Sequence, residues 1–207
     1  MKRKTFPVAN ILSVAALILS GCASYNAASL NNLSSEVYSI PATPVGRSDV
    51  VIAAKAFNKG DCMRYFDRNV LKKGYQPVQI CIQNNSDNKY LFSSNRISLP
   101  CARPEEVADK VHTSTLGRVL GYGIPGLIVA WPLIIPSVVD GIKSSEANKQ
   151  LDNDFAAKTA RDQIILPYSS LNKIIFVPVS EYDSSFVITI VDQESNQPIV
   201  LNVTAQG

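Results

Sequence analysis

Pro77-Val78-Gln79-Ile80-Cys81-Ile82-Gln83 is the stretch on which the fold turns. Val78, Ile80 and Ile82 alternate with Gln79, Cys81 and Gln83, a period of two that predicts a strand with one buried face and one wetted face. Asn84-Asn85-Ser86-Asp87-Asn88 follows as a turn cluster, because short amide, hydroxyl and carboxylate side chains bond their own backbone there. Residues 90–99 return as the next strand and stop at Pro100.

The same grammar recurs outward from this centre. Residues 50–57 form one apolar run, and residues 63–66 read as a short second one. Toward the C-terminus, residues 163–166, 172–179, 184–192 and 198–204 are rich in strand formers. In Phe186-Val187-Ile188-Thr189-Ile190-Val191 the branched side chains that suit a pleated sheet dominate. Pro167, Pro178 and the turn Glu194-Ser195-Asn196-Gln197 separate these runs. Short strands at this spacing predict an antiparallel β-sandwich. The pattern resembles the immunoglobulin-like or fibronectin-like accessory domains of bacterial surface proteins. The Cys…Trp…Cys arrangement of antibody domains is absent, since Trp131 lies outside the strands.

A different kind of sequence interrupts the strands. Pro104-Glu105-Glu106 opens a short helix, with proline in the first turn and acids complementing the helix dipole. Residues 119–139 then run without a charge. This stretch is long enough to cross a bilayer. Pro125, Pro132 and Pro136, with Gly121, Gly123 and Gly126, argue against one straight helix. A single span would also place the two groups of strands on opposite sides of a membrane. The expectation is therefore an α+β fold: an immunoglobulin-like sandwich with an inserted apolar helical hairpin that turns near Trp131-Pro132. Residues 140–162 are more polar, with Ile142, Leu151 and Phe155 on one helical stripe. The hairpin has two readings: core packed on its own sandwich, or an exposed element meeting a membrane or a protein. Tyr122, Trp131 and Ile134 are the contact residues in the second reading, since Tyr and Trp favour membrane interfaces. Gly117 and Gly121 have the spacing that lets helices approach closely.

The N-terminus carries an address. Lys2, Arg3 and Lys4 precede a short apolar run at residues 8–19, the organisation of an export signal. Leu19-Ser20-Gly21-Cys22 follows. It resembles the lipobox of bacterial lipoproteins at every position. The resemblance covers residues 1–22 and implies cleavage before Cys22, diacylglycerol on its thiol and acylation of the new amine. Several acyl chains anchor firmly where one is marginal. Ala23 in place of Asp implies the outer membrane in a Gram-negative host. The expected organisation is a signal over 1–21, a flexible Ser/Asn/Ala-rich tether over 22–47 and a sandwich domain over 48–207, with the helical insertion at about 103–162.

Charge and composition exclude several functions. Three of the 20 basic residues lie in the signal, which holds no acid, so 17 basic residues face 17 acidic ones in the remainder. That balance gives no footprint for nucleic acid or for an anionic bilayer surface. Cys62, Cys81 and Cys101 remain once Cys22 is acylated. They read either as buried small residues or as one bridge plus a leftover thiol. There is no Cys-x-x-Cys and only one histidine, so no metal site or cofactor is expected. His112 reads as a helix cap or surface residue, not a base, and no Gly-x-Ser-x-Gly elbow or P-loop exists. The carboxylates Glu105 and Glu106, and Asp152 and Asp154, read as solvated helix faces, so no catalytic residue is expected. The functional expectation is a lipid-anchored envelope protein with a non-enzymatic binding or assembly role. Its partners are the membrane, through the lipid, and a protein or second copy through residues 119–139. Two alternatives stand beside it: a subunit of an envelope secretion or transport complex, and an enzyme lacking a recognisable motif.

Overall fold

The computed structural model describes residues 24–33, 49–112 and 134–207, with side chains of the last segment from residue 145 onward. The chain divides into two compact units, Met1–Tyr25 with Thr113–Gln150, and Asn26–His112 with Leu151–Gly207. Tyr122 and Trp131 lie outside the described residues, as do the expected hairpin turn and the side chain of Ile134. Ile134 begins a helix that runs to Lys158. No described helix is long and apolar enough to cross a membrane.

The second unit is an antiparallel sandwich of seven described strands. They are β1 (Val50–Ala56), β2 (Tyr75–Asn84), β3 (Tyr90–Ile97), β4 (Gln163–Ile165), β5 (Ser170–Pro178), β6 (Ser185–Asp192) and β7 (Pro198–Thr204). One sheet has the order β1-β2-β5 and the other β4-β3-β6-β7. Between them pack Ile52, Val78, Ile80, Ile82 and Ile175 from the first sheet and Tyr90, Phe92, Ile188, Ile190 and Leu201 from the second. The described α-helices are α1 (Lys59–Phe66), α2 (Pro104–Val111) and α3 (Ile134–Lys158), and α2 and α3 are inserted between β3 and β4. The fold is thus α+β and sandwich-like, as the strand spacing predicts.

Two local expectations are corrected. Residues 63–66 are not a strand but the end of α1. Asn58 starts this helix with a capping box: its Oδ1 accepts from the Asp61 amide at 3.0 Å, and Asp61 Oδ2 accepts from the Asn58 amide at 3.2 Å. That reciprocal pair satisfies two of the amides a helix start leaves open. The second correction concerns the strand over 77–83. Gln79 and Cys81, expected to be wetted, are 2 % and 8 % exposed. The first sheet is covered on both faces. Its outer face carries an aromatic layer in which Phe66 of α1 lies 4.6 Å from Phe155 of α3 and 5.3 Å from Phe176 of β5, between ring centroids.

Pro77 sits in β2, the central strand, yet lacks an amide hydrogen. It is tolerated because β1 has ended there. Pro77 O still accepts from the Phe57 amide at 2.9 Å. The reciprocal bond is missing, and Gln76 Nε2 fills it by donating to Phe57 O at 2.9 Å. The β2–β3 crossover between sheets rests on Asn84, which is fully buried. Its Nδ2 donates to Asn88 O at 2.7 Å and Leu166 O at 2.8 Å, while its Oδ1 accepts from the Ser86 amide.

Both edges of the first sheet are closed by chain from elsewhere. Beside β5, the Ala160 amide donates to Ile174 O and the Ala102 amide to Phe176 O, each at 2.8 Å. Beside β1, the Ala56 amide donates to Gln206 O at 2.7 Å and the Gln206 amide to Ala54 O at 3.2 Å. Covered edges cannot template pairing with another chain.

Candidate functional site

The four-stranded sheet has a solvent face with an unusual composition. Register places Leu91 opposite Ile164 and Val191, Thr189 opposite Val200, and Val187 opposite Asn202. These side chains alternate with the buried Tyr90, Phe92, Ile188, Ile190 and Leu201, so they point away from the core. Ile164 is 50 % exposed and Val200 47 % exposed. An antiparallel sheet packed on one side is ordinarily polar on the other. Here one aliphatic side chain from each strand shares that face, Ile164 and Val200 exposed and Leu91 and Val187 half-buried, while Val191 beside Leu91 is buried. Contiguous apolar surface of this kind marks a contact site.

The opposite side of the sandwich holds an N-terminal strap. Residues 26–33 lie on the outer face of the first sheet, so the tether reading does not extend to them. The Asn26 amide donates to Asp67 Oδ2 at 3.2 Å. The Ala28 amide donates to Arg64 O at 2.9 Å. Gln79 Nε2 donates to Asn31 O at 2.7 Å, and Asn172 Nδ2 to Asn32 Oδ1 at 2.9 Å. Leu33 packs on Ala53 and Cys81. Lys158 locks the arrangement. Its ammonium donates to Ala28 O at 2.8 Å, Tyr65 O at 2.6 Å and Asp154 Oδ2 at 2.6 Å, so all three of its protons are used. One side chain thereby joins strap, α1 and α3.

The candidate chemical residues are spread apart. Cys22 lies outside the described residues. Cys62, Cys81 and Cys101 are free thiols, the first two buried and the third half-buried. Burial pushes the Cys101 thiol up to about 11, which leaves it almost wholly protonated at neutral pH and a poor nucleophile. His112 ends α2, and its Nε2 lies 2.6 Å from Asp152 Oδ1 on α3. Glu105 pairs with Arg161 at 3.4 Å, and Glu106 accepts from the Tyr75 hydroxyl. The carboxylates are therefore engaged one by one in ties between elements. Among the described residues no group of three His, Cys, Asp or Glu side chains could hold a metal.

Two open clefts lie among the described residues. One of about 510 Å³ is lined by Ser94, Ile97, Leu99, Cys101 and Glu181. The other, of about 480 Å³, lies between strap, α3 and β5 and includes Lys158, Lys173 and Asn172. In the first, the Ser94 hydroxyl donates to Asp162 Oδ1 at 3.3 Å, and bonds from the Ser93 hydroxyl and the Ser94 amide hold that carboxyl below its usual range, which makes it a weak base. No family model, curated protein or solved structure matches the chain. Sequence reasoning missed the apolar sheet face. The signal was present in residues 186–191, whose apolar run is nearly continuous and not alternating. No sequence signal marks Lys158 as the lock of the strap.

Proposed function

We propose that the protein is a lipid-anchored envelope lipoprotein whose sandwich binds a protein partner through the outer face of the four-stranded sheet. The observation that carries this reading is the shared aliphatic surface of Leu91, Ile164, Val187 and Val200, with Ile164 and Val200 about half exposed. Anchorage rests on the lipobox at residues 19–22, with acyl chains on Cys22, and Ala23 favours the outer membrane in a Gram-negative host. An immunoglobulin-like assignment is supported by strand order. The first, second and fifth strands share one sheet, and the third, sixth and seventh share the other. The fourth strand pairs with the third, where constant-type immunoglobulin domains pair it with the fifth. The role is binding or assembly without catalysis, within a larger envelope complex in the alternative reading. Residues 119–139, with Tyr122, Trp131 and Ile134, supply a second contact element on the strength of their uncharged, apolar composition.

The test is a paired substitution, Ile164→Lys with Val200→Lys, in the acylated protein. Cross-linking and co-purification from detergent extract should lose a stoichiometric partner, while the melting temperature stays within a few degrees. Retention of the same partner overturns the assignment of the face. A large fall in melting temperature shows that these positions are core. Separately, Cys22→Ala should leave an uncleaved, unacylated precursor. Processing elsewhere with normal membrane retention refutes the lipobox reading.

A further inference from the structure

The strap begins only four residues after Cys22. Four residues of extended chain span at most roughly 14 Å. The sandwich of an acylated protein is therefore held close to the bilayer by the surface around Asn26, and this inference rests on the lipoprotein reading above. That surface has a distinct charge. Asn26 docks on Asp67, just past the end of α1. Arg64 precedes this point on α1, and Arg68, Lys72 and Lys73 follow it, the last two on a single 3-10 turn over Leu71–Lys73. Arg64, Lys72 and Lys73 are exposed and pair with no carboxylate among the described residues. The acids of α1 and the turn after it are already engaged, Asp61 with Lys55 at 2.8 Å and Asp67 with Arg68 at 2.9 Å, and on α2, which packs against the 3-10 turn, Glu106 faces Lys110 at 3.6 Å and Glu105 faces Arg161 at 3.4 Å. Met63, 44 % exposed, lies beside Arg64 on the same helix. In a chain whose remaining charges balance, this is a local excess of positive charge placed where the anchor emerges.

We infer that the face formed by α1 and the following 3-10 turn rests on anionic phospholipid headgroups through Arg64, Lys72 and Lys73, with Met63 at the same surface. The anchor supplies nearness and the basic residues supply orientation. At an anionic surface each basic side chain favours contact by roughly fivefold, within a screening distance of about 8–10 Å. The strap reach is comparable to that distance, so the charges act on the bilayer that holds the lipid. The strap lies on the outer face of the first sheet, and the aliphatic face of Ile164 and Val200 belongs to the second sheet, across the core. Seating α1 on the bilayer therefore directs the proposed partner face away from the membrane.

The experiment uses the mature acylated protein in vesicles of phosphatidylcholine, with and without phosphatidylglycerol. Mass spectrometry first establishes the acyl groups on Cys22. A nitroxide is attached at Met63→Cys, which keeps every charge, or at Asn202→Cys on the far sheet. Collision with a water-soluble nickel complex then reports exposure. The expected result is a several-fold loss of accessibility at position 63 with the anionic lipid, none at 202, and restored accessibility in Arg64→Glu with Lys72→Glu. Equal accessibility at both sites in both lipids, or protection at 202 alone, overturns the orientation and leaves the anchor intact. Absence of acyl groups on Cys22 removes the anchor, and the orientation falls with it.

Discussion

Single polar side chains decide how the segments of this molecule stay together. Lys158 is 7 % exposed and places its charge against one carboxylate and two backbone carbonyls. Removing it leaves Asp154, Ala28 O and Tyr65 O without that partner in a buried setting, where unpaired groups are expensive. Lys158→Met should lower unfolding free energy by roughly 3–5 kcal/mol in urea titration. Amide exchange over residues 26–33 should accelerate at the same time. The thiols act through pH. Burial raises Cys62, Cys81 and Cys101, the last to about 11. Below about pH 8 the thiols are mostly protonated in both folded and unfolded chains, and stability is nearly unaffected. As pH rises from about 9 through about 11, unfolded thiols lose protons that folded ones retain, so stability falls. Urea midpoints measured across that window should decline, and Cys101→Ala should flatten part of the decline. An identical slope in the variant would exclude Cys101 as a contributor.

At the scale of elements, caps and edges override local propensity. The residues Met63-Arg64-Tyr65-Phe66 suit a strand, but the Asn58–Asp61 box upstream starts a helix that carries through them. Cys62, Tyr65 and Phe66 then share one helical face and bury against the sheet. Asn58→Ala should cost about 1 kcal/mol, read as a lower denaturant midpoint with an unchanged slope. The Asn58-x-x-Asp61 spacing is a local feature of the sequence, whereas the burial that rewards the helix depends on the sheet it packs against. β2 teaches a similar lesson. Its alternating pattern correctly predicts a strand but leaves the outer face looking wet, because Gln79 and Cys81 seem suited to solvent. Gln79 is buried there because Asn31 O and Asn172 Oδ1 accept both of its amide protons, each at 2.7 Å. A hydrogen-bonded amide can be buried at little cost.

For the whole molecule, closure of the sheets is the governing feature. The C-terminal residues bridge β7 back to β1 through two backbone hydrogen bonds. Deleting residues 205–207 would bare the β1 edge. The expected outcome is a concentration-dependent increase in mass by light scattering, with a modest loss of stability. A truncated protein that stays monodisperse at high concentration would show that the tail is not protective. The two faces of the sandwich also differ in kind. One is covered by strap and helices and lies beside basic residues, and the other presents exposed aliphatic side chains at Ile164 and Val200.

The sequence by itself determined strands within residues 50–57, 77–83 and 90–99 and from 163 onward, the start of α2 at Pro104, and the cysteine on which anchorage is proposed. These features are local: they follow from side-chain period, turn chemistry and a four-residue motif. Only the tertiary structure decided which strands share a sheet, that residues 26–33 are a docked strap, and that Ile164 and Val200 on the outer face of the four-stranded sheet are about half exposed. Those outcomes depend on contacts between residues far apart in the chain, such as Lys158 with Ala28 and Ala56 with Gln206. A period of two says that a strand has two faces, but what covers each face is set by elements elsewhere in the chain.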